Sequence, residues 1–159
     1  MDRLIRFLEQ PSSYPHKPAR VRSTQTHISW VFFAPPFVFK IKKPVNFGFL
    51  NFSSLRQRHY YCEREIELNR RLAPDVYCGV VPIYKKGDTF SFEANGEVAE
   101  YSVQMKELPD GFFLHQLLKC GRVFESEVDR VISRLHEFYD SVPPIARTSQ
   151  PFLRATATQ

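Results

Sequence analysis

Hydrophobic and polar positions along the chain follow two periods, one typical of strands and one typical of helices. Residues 26–34 and 37–43 are rich in β-branched and aromatic side chains and each run ends at proline, which predicts two strands joined by a turn at Pro35-Pro36. Three more strands are predicted over 80–84, 89–93 and 98–105. In the last of them Glu100, Ser102 and Gln104 alternate with apolar residues, which predicts a half-buried strand. Asn95-Gly96, between the last two strands, predicts a hairpin.

Helical periodicity appears in three places. The first helix is predicted over 53–72, with Ser53 as its N-cap and Pro74 after its end. A short apolar face from Phe113 to Leu118 predicts a second helix that ends at Gly121 as C-cap. The third is predicted over 126–140, where apolar residues recur at helical spacing: Val128, Val131, Ile132, Leu135, Phe138 and Tyr139.

This order of elements predicts an α+β fold, with a five-stranded antiparallel sheet and one inserted helix, followed by a helical region. Residues 1–23 are predicted to form an irregular leader, because their second half contains three prolines. Near its start, apolar residues broken by charges predict a short amphipathic turn or two: Leu4, Ile5, Phe7 and Leu8. The sheet and its helix occupy 24–108, and the helical region occupies 109–142. Residues 143–159 have no period and are predicted to be a disordered tail.

Composition narrows the classes of partner. The net charge of +5 suits anionic partners such as nucleotides, although the basic residues are scattered, which disfavours a nucleic-acid interface. The three cysteines form no CxxC pair, so we expect reduced thiols in a cytoplasmic protein and no zinc site. The longest apolar stretch, 30–38, contains two prolines and is too short for a bilayer, so no membrane partner is expected.

The predicted position of Glu65 requires a cation beside it. At about 100° per residue it falls in the middle of the apolar face of the 53–72 helix, where a carboxylate is costly unless a cation meets it. Lys40 and Lys42 share one face of the second strand and are candidates for that cation. Two alternatives remain open: an ion pair of Glu65 with Arg58 on the same helix, and a solvated basic strand edge that has no partner.

The stretch VFKIKKPVNFGFLNFSSLRQRHYYCEREIELNRRLAPDVYCGVVPI, with THISWVFF before it and EYSVQMKELPD after it, resembles aminoglycoside-phosphotransferase-like proteins. Members of that family are often fused to a P-loop ATPase domain. The resemblance covers roughly residues 24–139, and includes LLKCGRVFESEVDRVISRLHEFY. It implies a kinase-like N-lobe over 24–108, the first helices of a C-lobe over 109–142, and transfer of the ATP γ-phosphate to a small-molecule hydroxyl with Mg²⁺.

Carried over by position, the resemblance assigns a nucleotide-binding role to seven residues. It implies that Lys40 is the phosphate-binding lysine, with Lys42 as the alternative, and that Glu65 is the helix partner of that lysine. Val38 would face the adenine, Met105 would be the gatekeeper, and a hinge over 106–108 would include Lys106 and Leu108.

The chain also departs from the family pattern. None of its five histidines is followed two places later by aspartate, so no His-x-Asp motif is present and no catalytic or metal-binding residue is predicted. Ala34-Pro35-Pro36, instead of a glycine-rich turn, stands between the first two predicted strands. We therefore expect a truncated enzyme that is inactive alone, with its missing C-lobe or ATPase half in another chain.

Two further expectations follow. The apolar face of the 126–140 helix predicts self-association if nothing covers it. The alternative to a kinase lobe is a non-catalytic binding or pseudokinase module for a protein or nucleic-acid partner.

Overall fold

The computed structural model describes residues 1–109, 111 and 113–143, and within them a curled antiparallel sheet with four α-helices. The six strands lie in the order β1-β2-β3-β6-β4-β5. The α+β class is therefore confirmed. The elements, in chain order, are α1 Asp2–Leu8, a 3₁₀ turn Pro11–Ser13, β1 Arg22–Gln25, β2 Ser29–Ala34, β3 Phe37–Lys42, α2 Leu55–Arg70, β4 Tyr77–Lys86, β5 Thr89–Ser91, β6 Glu97–Lys106, α3 Leu114–Lys119 and α4 Glu125–Ser141.

The sheet has six strands, and the prediction of five was wrong. The additional strand, β1, pairs with β2 at one edge, and all four of its residues are exposed. Its Arg-Ser-Thr-Gln sequence has no alternation of apolar and polar residues, so it carries no strand signal. The Thr26 hydroxyl accepts hydrogen bonds from the amides of Ile28 and Ser29, which makes 26–28 a turn and starts β2 later than predicted.

β4, and not β5, is the neighbour of β6, so the hairpin predicted at Asn95-Gly96 does not form. β5 pairs with the end of β4 through the turn at Gly87, and β6 then pairs along the other side of β4. Gly96 has a different role at this crossing. A Cβ atom at Gly96 would lie 2.2 Å from the carbonyl oxygen of Lys85, so only glycine permits this close approach.

The leader predicted to be irregular is packed on the sheet. Leu4 and Leu8 of α1 are buried, and the Tyr14 hydroxyl, also buried, donates a hydrogen bond to the Leu8 carbonyl at 2.6 Å. These three side chains form one core with Phe32, Ala34, Phe39, Ile41 and Ile83 from the sheet. The prediction failed because α1 is short and its apolar residues are broken by charges, so its signal was weak.

Helix α2 covers the other face of the sheet. Its N-cap is Ser54, one residue after the predicted Ser53, and the Ser54 hydroxyl accepts a hydrogen bond from the Gln57 amide while the Gln57 side chain accepts one from the Ser54 amide. Cys62 and Ile66 are buried against Val103 of β6. The sheet is thus covered on both faces, by α1 on one and α2 on the other.

The chain divides into two compact units, residues 1–116 and 117–159. At the end of α3, Gly121 has φ +60° and its amide bonds the Leu118 carbonyl, while the Arg122 amide bonds the Leu117 carbonyl. These bonds form a Schellman motif, and the prediction that α3 is capped at Gly121 is confirmed. No helix in residues 1–109, 111 and 113–143 is long and apolar enough to cross a membrane. The tail predicted for 143–159 lies, apart from Pro143, outside the described residues.

The apolar stripe of α4 is exposed, which keeps self-association as a prediction. Val128, Ile132 and Leu135 are between 40% and 57% exposed. We expect the protein to self-associate with rising concentration, because burying such a stripe releases about 25 cal/mol per Å² of apolar surface. Sedimentation velocity of wild type and Ile132→Asp tests this. Ser133→Asp, a residue away from the stripe, is the control, and a wild type that stays monomeric over the full concentration range contradicts it.

Candidate functional site

A triad of charges joins β3 to α2. Glu65 accepts a hydrogen bond from Lys40 Nζ at 2.8 Å through one oxygen and from Lys42 Nζ at 2.7 Å through the other. The two lysines share a strand face because strand side chains alternate, and that face is the one α2 covers. The cation predicted for Glu65 is therefore present twice.

The two lysines differ in their access to solvent, and this separates their roles. The Lys42 side chain is 6% exposed and its ammonium lies over the Phe52 ring, 5.0 Å from the centroid. The Lys40 side chain is 28% exposed. A buried lysine whose ammonium is already held by a carboxylate and a ring is a structural cation. Lys40, held by the same carboxylate but open to solvent, is the lysine that a ligand could reach.

Arg58, the other cation weighed for Glu65, has a different partner. Its guanidinium bonds both oxygens of Glu100 at 3.0 and 2.9 Å, and it also donates to the carbonyls of Phe52 and Ser53. The alternative prediction, an ion pair between Arg58 and Glu65, is therefore wrong. Glu100 was expected on the solvent side of its strand, but Glu100 and Ser102 are 1% and 0% exposed. The burial of these two residues was not predicted because alternating apolar and polar residues were taken to mean that one face of the sheet is exposed to solvent.

An apolar cavity of about 450 Å³ lies along the same sheet face, next to the charge triad. Val38 and Met105 pair across β3 and β6, and Tyr77 pairs with Met105 across β4 and β6. Lys40 lies two residues beyond Val38 on one strand face, about 7 Å along the strand. The cavity is lined by Phe33, Val38, Asn69, Leu72, Ala73, Val76, Tyr77, Met105, Lys106, Leu108 and Phe113.

The cavity thus brings together four of the seven predicted site residues, Val38, Met105, Lys106 and Leu108, and the triad holds the other three. Tyr77 and Asn69 were missed. Tyr77 stands before the predicted start of its strand at 80, and Asn69 lies within the predicted 53–72 helix but was given no role. Burial raises the pKa of Tyr77, and the negative charge of Glu65 raises it further, so the phenol is close enough to the triad to sense it.

The predicted hinge has most of its amides already bonded within the chain. The Lys106 amide donates to the Val76 carbonyl at 2.8 Å, and the Glu107 amide donates to the Pro36 carbonyl at 2.9 Å. Within the described part of the chain, the Leu108 amide has no acceptor. A ligand in the cavity would therefore find at most one free amide donor in residues 106–108.

The turn expected to face phosphates is in a different place. With β1 present, the connection between the first two strands is 26–28, and Pro35-Pro36 joins the second and third. The amides of Thr26, Ile28 and Ser29 all bond to acceptors within the turn. Proline has no amide hydrogen, so neither turn offers the row of backbone donors that cradles a phosphate. A phosphate at this site would depend on Lys40.

The triad also fixes the charge of Glu65. Burial by itself would raise the pKa of Glu65 above its ordinary 4.5, but the hydrogen bonds and positive charges of Lys40 and Lys42 outweigh burial and hold the pKa below that value. Glu65 is therefore a carboxylate at neutral pH and serves as an anchor for cations, which is a different role from that of a proton donor.

Other chemistry finds little support in the described residues. Burial raises the pKa of Cys62 to about 12, so its thiol stays protonated and is not a nucleophile at neutral pH. No group of three His, Cys, Asp or Glu side chains within residues 1–109, 111 and 113–143 could hold a metal ion. The chemistry that the triad and the cavity can offer is the binding of a ligand with an anionic group and an apolar part.

Comparison with known proteins adds relatives but no activity. Over 115 residues, 72% of this chain, the sequence is 32% identical to uncharacterized proteins of Mycobacterium tuberculosis and Mycobacterium bovis. The chain spans only about a fifth of the length of these relatives, 22%. No protein-family model matches the chain, and no solved structure matches it. The function is therefore argued from the site.

The triad predicts unequal costs for removing its members. Glu65→Gln leaves Lys42 buried without a counter-ion, and we expect a loss of about 3 kcal/mol in the free energy of unfolding. Lys40→Ala leaves the Lys42–Glu65 pair intact and should cost about 1 kcal/mol or less. Urea unfolding measures both, with Glu63→Gln and Lys43→Ala as surface controls. Equal losses for Glu65→Gln and Glu63→Gln would show that the triad does not stabilise the fold.

The lowered pKa of Glu65 predicts a pH dependence with a definite sign. Because the folded-state pKa lies below the unfolded one, the triad's contribution is complete above the ordinary value of 4.5 and is lost as the pH falls through the folded-state pKa. Urea midpoints from about pH 7 down to about pH 3 should fall less steeply for Glu65→Gln than for wild type or Glu63→Gln. Parallel curves would contradict the assignment.

Proposed function

We propose that residues 1–116 form the nucleotide-binding lobe of a kinase-like phosphotransferase, with ATP as the nucleotide. The observation that carries the proposal is the position of Lys40, which is held by Glu65 at 2.8 Å and stands about two residues beyond an apolar cavity lined by Val38 and Met105. A strand lysine paired with a helix glutamate is the device by which kinases hold the α- and β-phosphates of ATP. The resemblance in the sequence leads to the same assignment.

The proposed binding mode places the base in the cavity and the phosphates at Lys40. The cavity walls are mainly apolar, which suits a flat heterocycle, and its volume of about 450 Å³ is within the range of small-molecule sites. Lys42 is buried and supports Lys40 by holding the second oxygen of Glu65. Mg²⁺ would bind together with the phosphates and be coordinated by their oxygens, since we assign it no ligand in this chain.

Lys40 must supply more of the phosphate affinity here than a lysine does beside a glycine-rich loop. The amides of Thr26 and Ile28 in the 26–28 turn are already bonded, and Pro35-Pro36 has none to give. One charge-assisted contact contributes about 1.5–3 kcal/mol. Removal of Lys40 should therefore lower nucleotide affinity by about tenfold to a hundredfold.

We assign nucleotide binding to this chain and no catalytic base. None of its five histidines is followed two places on by aspartate; the residues there are Pro18, Ser29, Tyr61, Leu117 and Phe138. Transfer of phosphate to a small-molecule hydroxyl is proposed for an assembly in which another segment or chain provides the base and the metal ligands. The free thiols of Cys62, Cys78 and Cys120 fit a reducing, cytoplasmic compartment.

Thermal unfolding with and without Mg-ATP tests the proposal. We expect the melting temperature of wild type to rise by several degrees at saturating ligand, because a ligand at 100 times its dissociation constant stabilises by about 2.7 kcal/mol. Lys40→Ala should melt cooperatively but show a clearly smaller rise than wild type at the same Mg-ATP concentration, because its affinity is expected to fall by about tenfold to a hundredfold. Lys43→Ala, which removes a neighbouring lysine that bonds Gln25, should keep the full rise.

The opposite outcome is equally clear. A wild type that melts cooperatively and is not shifted by Mg-ATP would reject nucleotide binding and favour a non-catalytic binding module. An undiminished shift in Lys40→Ala would retain a ligand but assign its phosphate contact to another residue. Glu65→Ala should also reduce the shift, and its own stability must be compared with that of Glu65→Gln.

A further inference from the structure

Asn69, in the last turn of α2, places a polar group in the wall of the apolar cavity. The other polar side chains of that wall in the described residues are Tyr77 and Lys106. The backbone carbonyl of Asn69 accepts hydrogen bonds from the amides of Leu72 and Ala73, at 3.1 and 2.8 Å. The residue is therefore fixed at the point where the helix ends and the chain turns along the cavity.

The orientation of the Asn69 amide is determined by its neighbour. Its Nδ2 donates to the carbonyl oxygen of Glu65 at 2.7 Å. A carbonyl oxygen can only accept, so the atom facing it must be the nitrogen, and the flipped amide would set two acceptors against each other. Oδ1 is then left as an acceptor, and it has no donor within the described part of the chain.

We infer that Asn69 Oδ1 accepts a hydrogen bond from the exocyclic amine of the bound base, so that the cavity selects an amino-bearing purine over a 6-oxo purine. The inference rests on the proposed function and adds its base specificity. A 6-oxo group in the same place would meet Oδ1 of the exposed Asn69 acceptor to acceptor, so no hydrogen bond would form and the two oxygens would repel each other.

The other two polar side chains do not supply this discrimination. The Tyr77 hydroxyl both donates and accepts, so it can meet either kind of base edge. The Lys106 ammonium only donates, and its long, flexible stem orients a ligand weakly. Lys106 and Asn69 are both exposed, so the difference between them is the anchoring of Asn69. Asn69 is the acceptor whose direction the backbone fixes, since the same side chain is anchored to Glu65.

Titration calorimetry with three triphosphates tests the inference: ATP, inosine triphosphate, which carries a 6-oxo group, and purine riboside triphosphate, which lacks the amine. We expect wild type to bind ATP about tenfold or more tightly than either analogue. Asn69→Leu should bring all three affinities to about the same value by weakening ATP alone. Asn69→Ala is the second variant, and Asn95→Ala, in the β5–β6 connection, is the control that should keep the wild-type ratio.

The outcomes separate this inference from the proposal beneath it. A wild type that binds ATP and inosine triphosphate equally overturns the base specificity and leaves nucleotide binding intact, and it needs no variant. A wild-type preference that persists in folded Asn69→Leu or Asn69→Ala assigns the specificity to another group and overturns the role of Asn69. A wild type that binds none of the three overturns the proposed function, and the inference with it.

Discussion

The buried carboxylate of Glu65 is the constraint around which this sheet and its helix are arranged. A charge in an apolar layer is stable only with partners at close range, and here two lysines from one strand meet its two oxygens at 2.8 and 2.7 Å. The triad fixes the rotation of α2 about its axis and its height along β3. Cys62 and Ile66 can then pack against Val103 without competing registers.

A second ion pair joins the start of α2 to the sheet. Arg58 joins Glu100 and also caps two carbonyls of the loop that precedes the helix, so the start of α2 is held to β6 while its middle is held to β3. With the start and the middle of α2 held in place, the space left between its last turn, β4 and β6 is the cavity. Electrostatics thus determines the shape of an apolar site, although few charges line it.

The sequence allowed the pairing of Glu65 with Lys40 or Lys42 to be predicted because helical and strand periods place all three on facing surfaces. It could not show that both lysines bind at once, since that depends on the height of the helix over the strand. β1 was missed, and α1 was predicted only as an amphipathic turn or two, because Arg22–Gln25 and Asp2–Leu8 are short and their period is too brief to stand out. The burial of Glu100 was missed because alternation placed it on the polar side of a half-buried strand, whereas it meets Arg58 of α2. The hairpin prediction at Asn95-Gly96 was wrong because a local turn signal does not show with which strand the following strand will pair.

The outer strands of the sheet determine how it meets other sheets. β1 has four residues, all exposed and polar or charged, and β5 has three. Such short outer strands offer a second chain few backbone groups with which to continue the ladder. Strand addition is therefore a poor route for this protein to grow into fibres, and crowding should favour compact assemblies of finite size over extended ones.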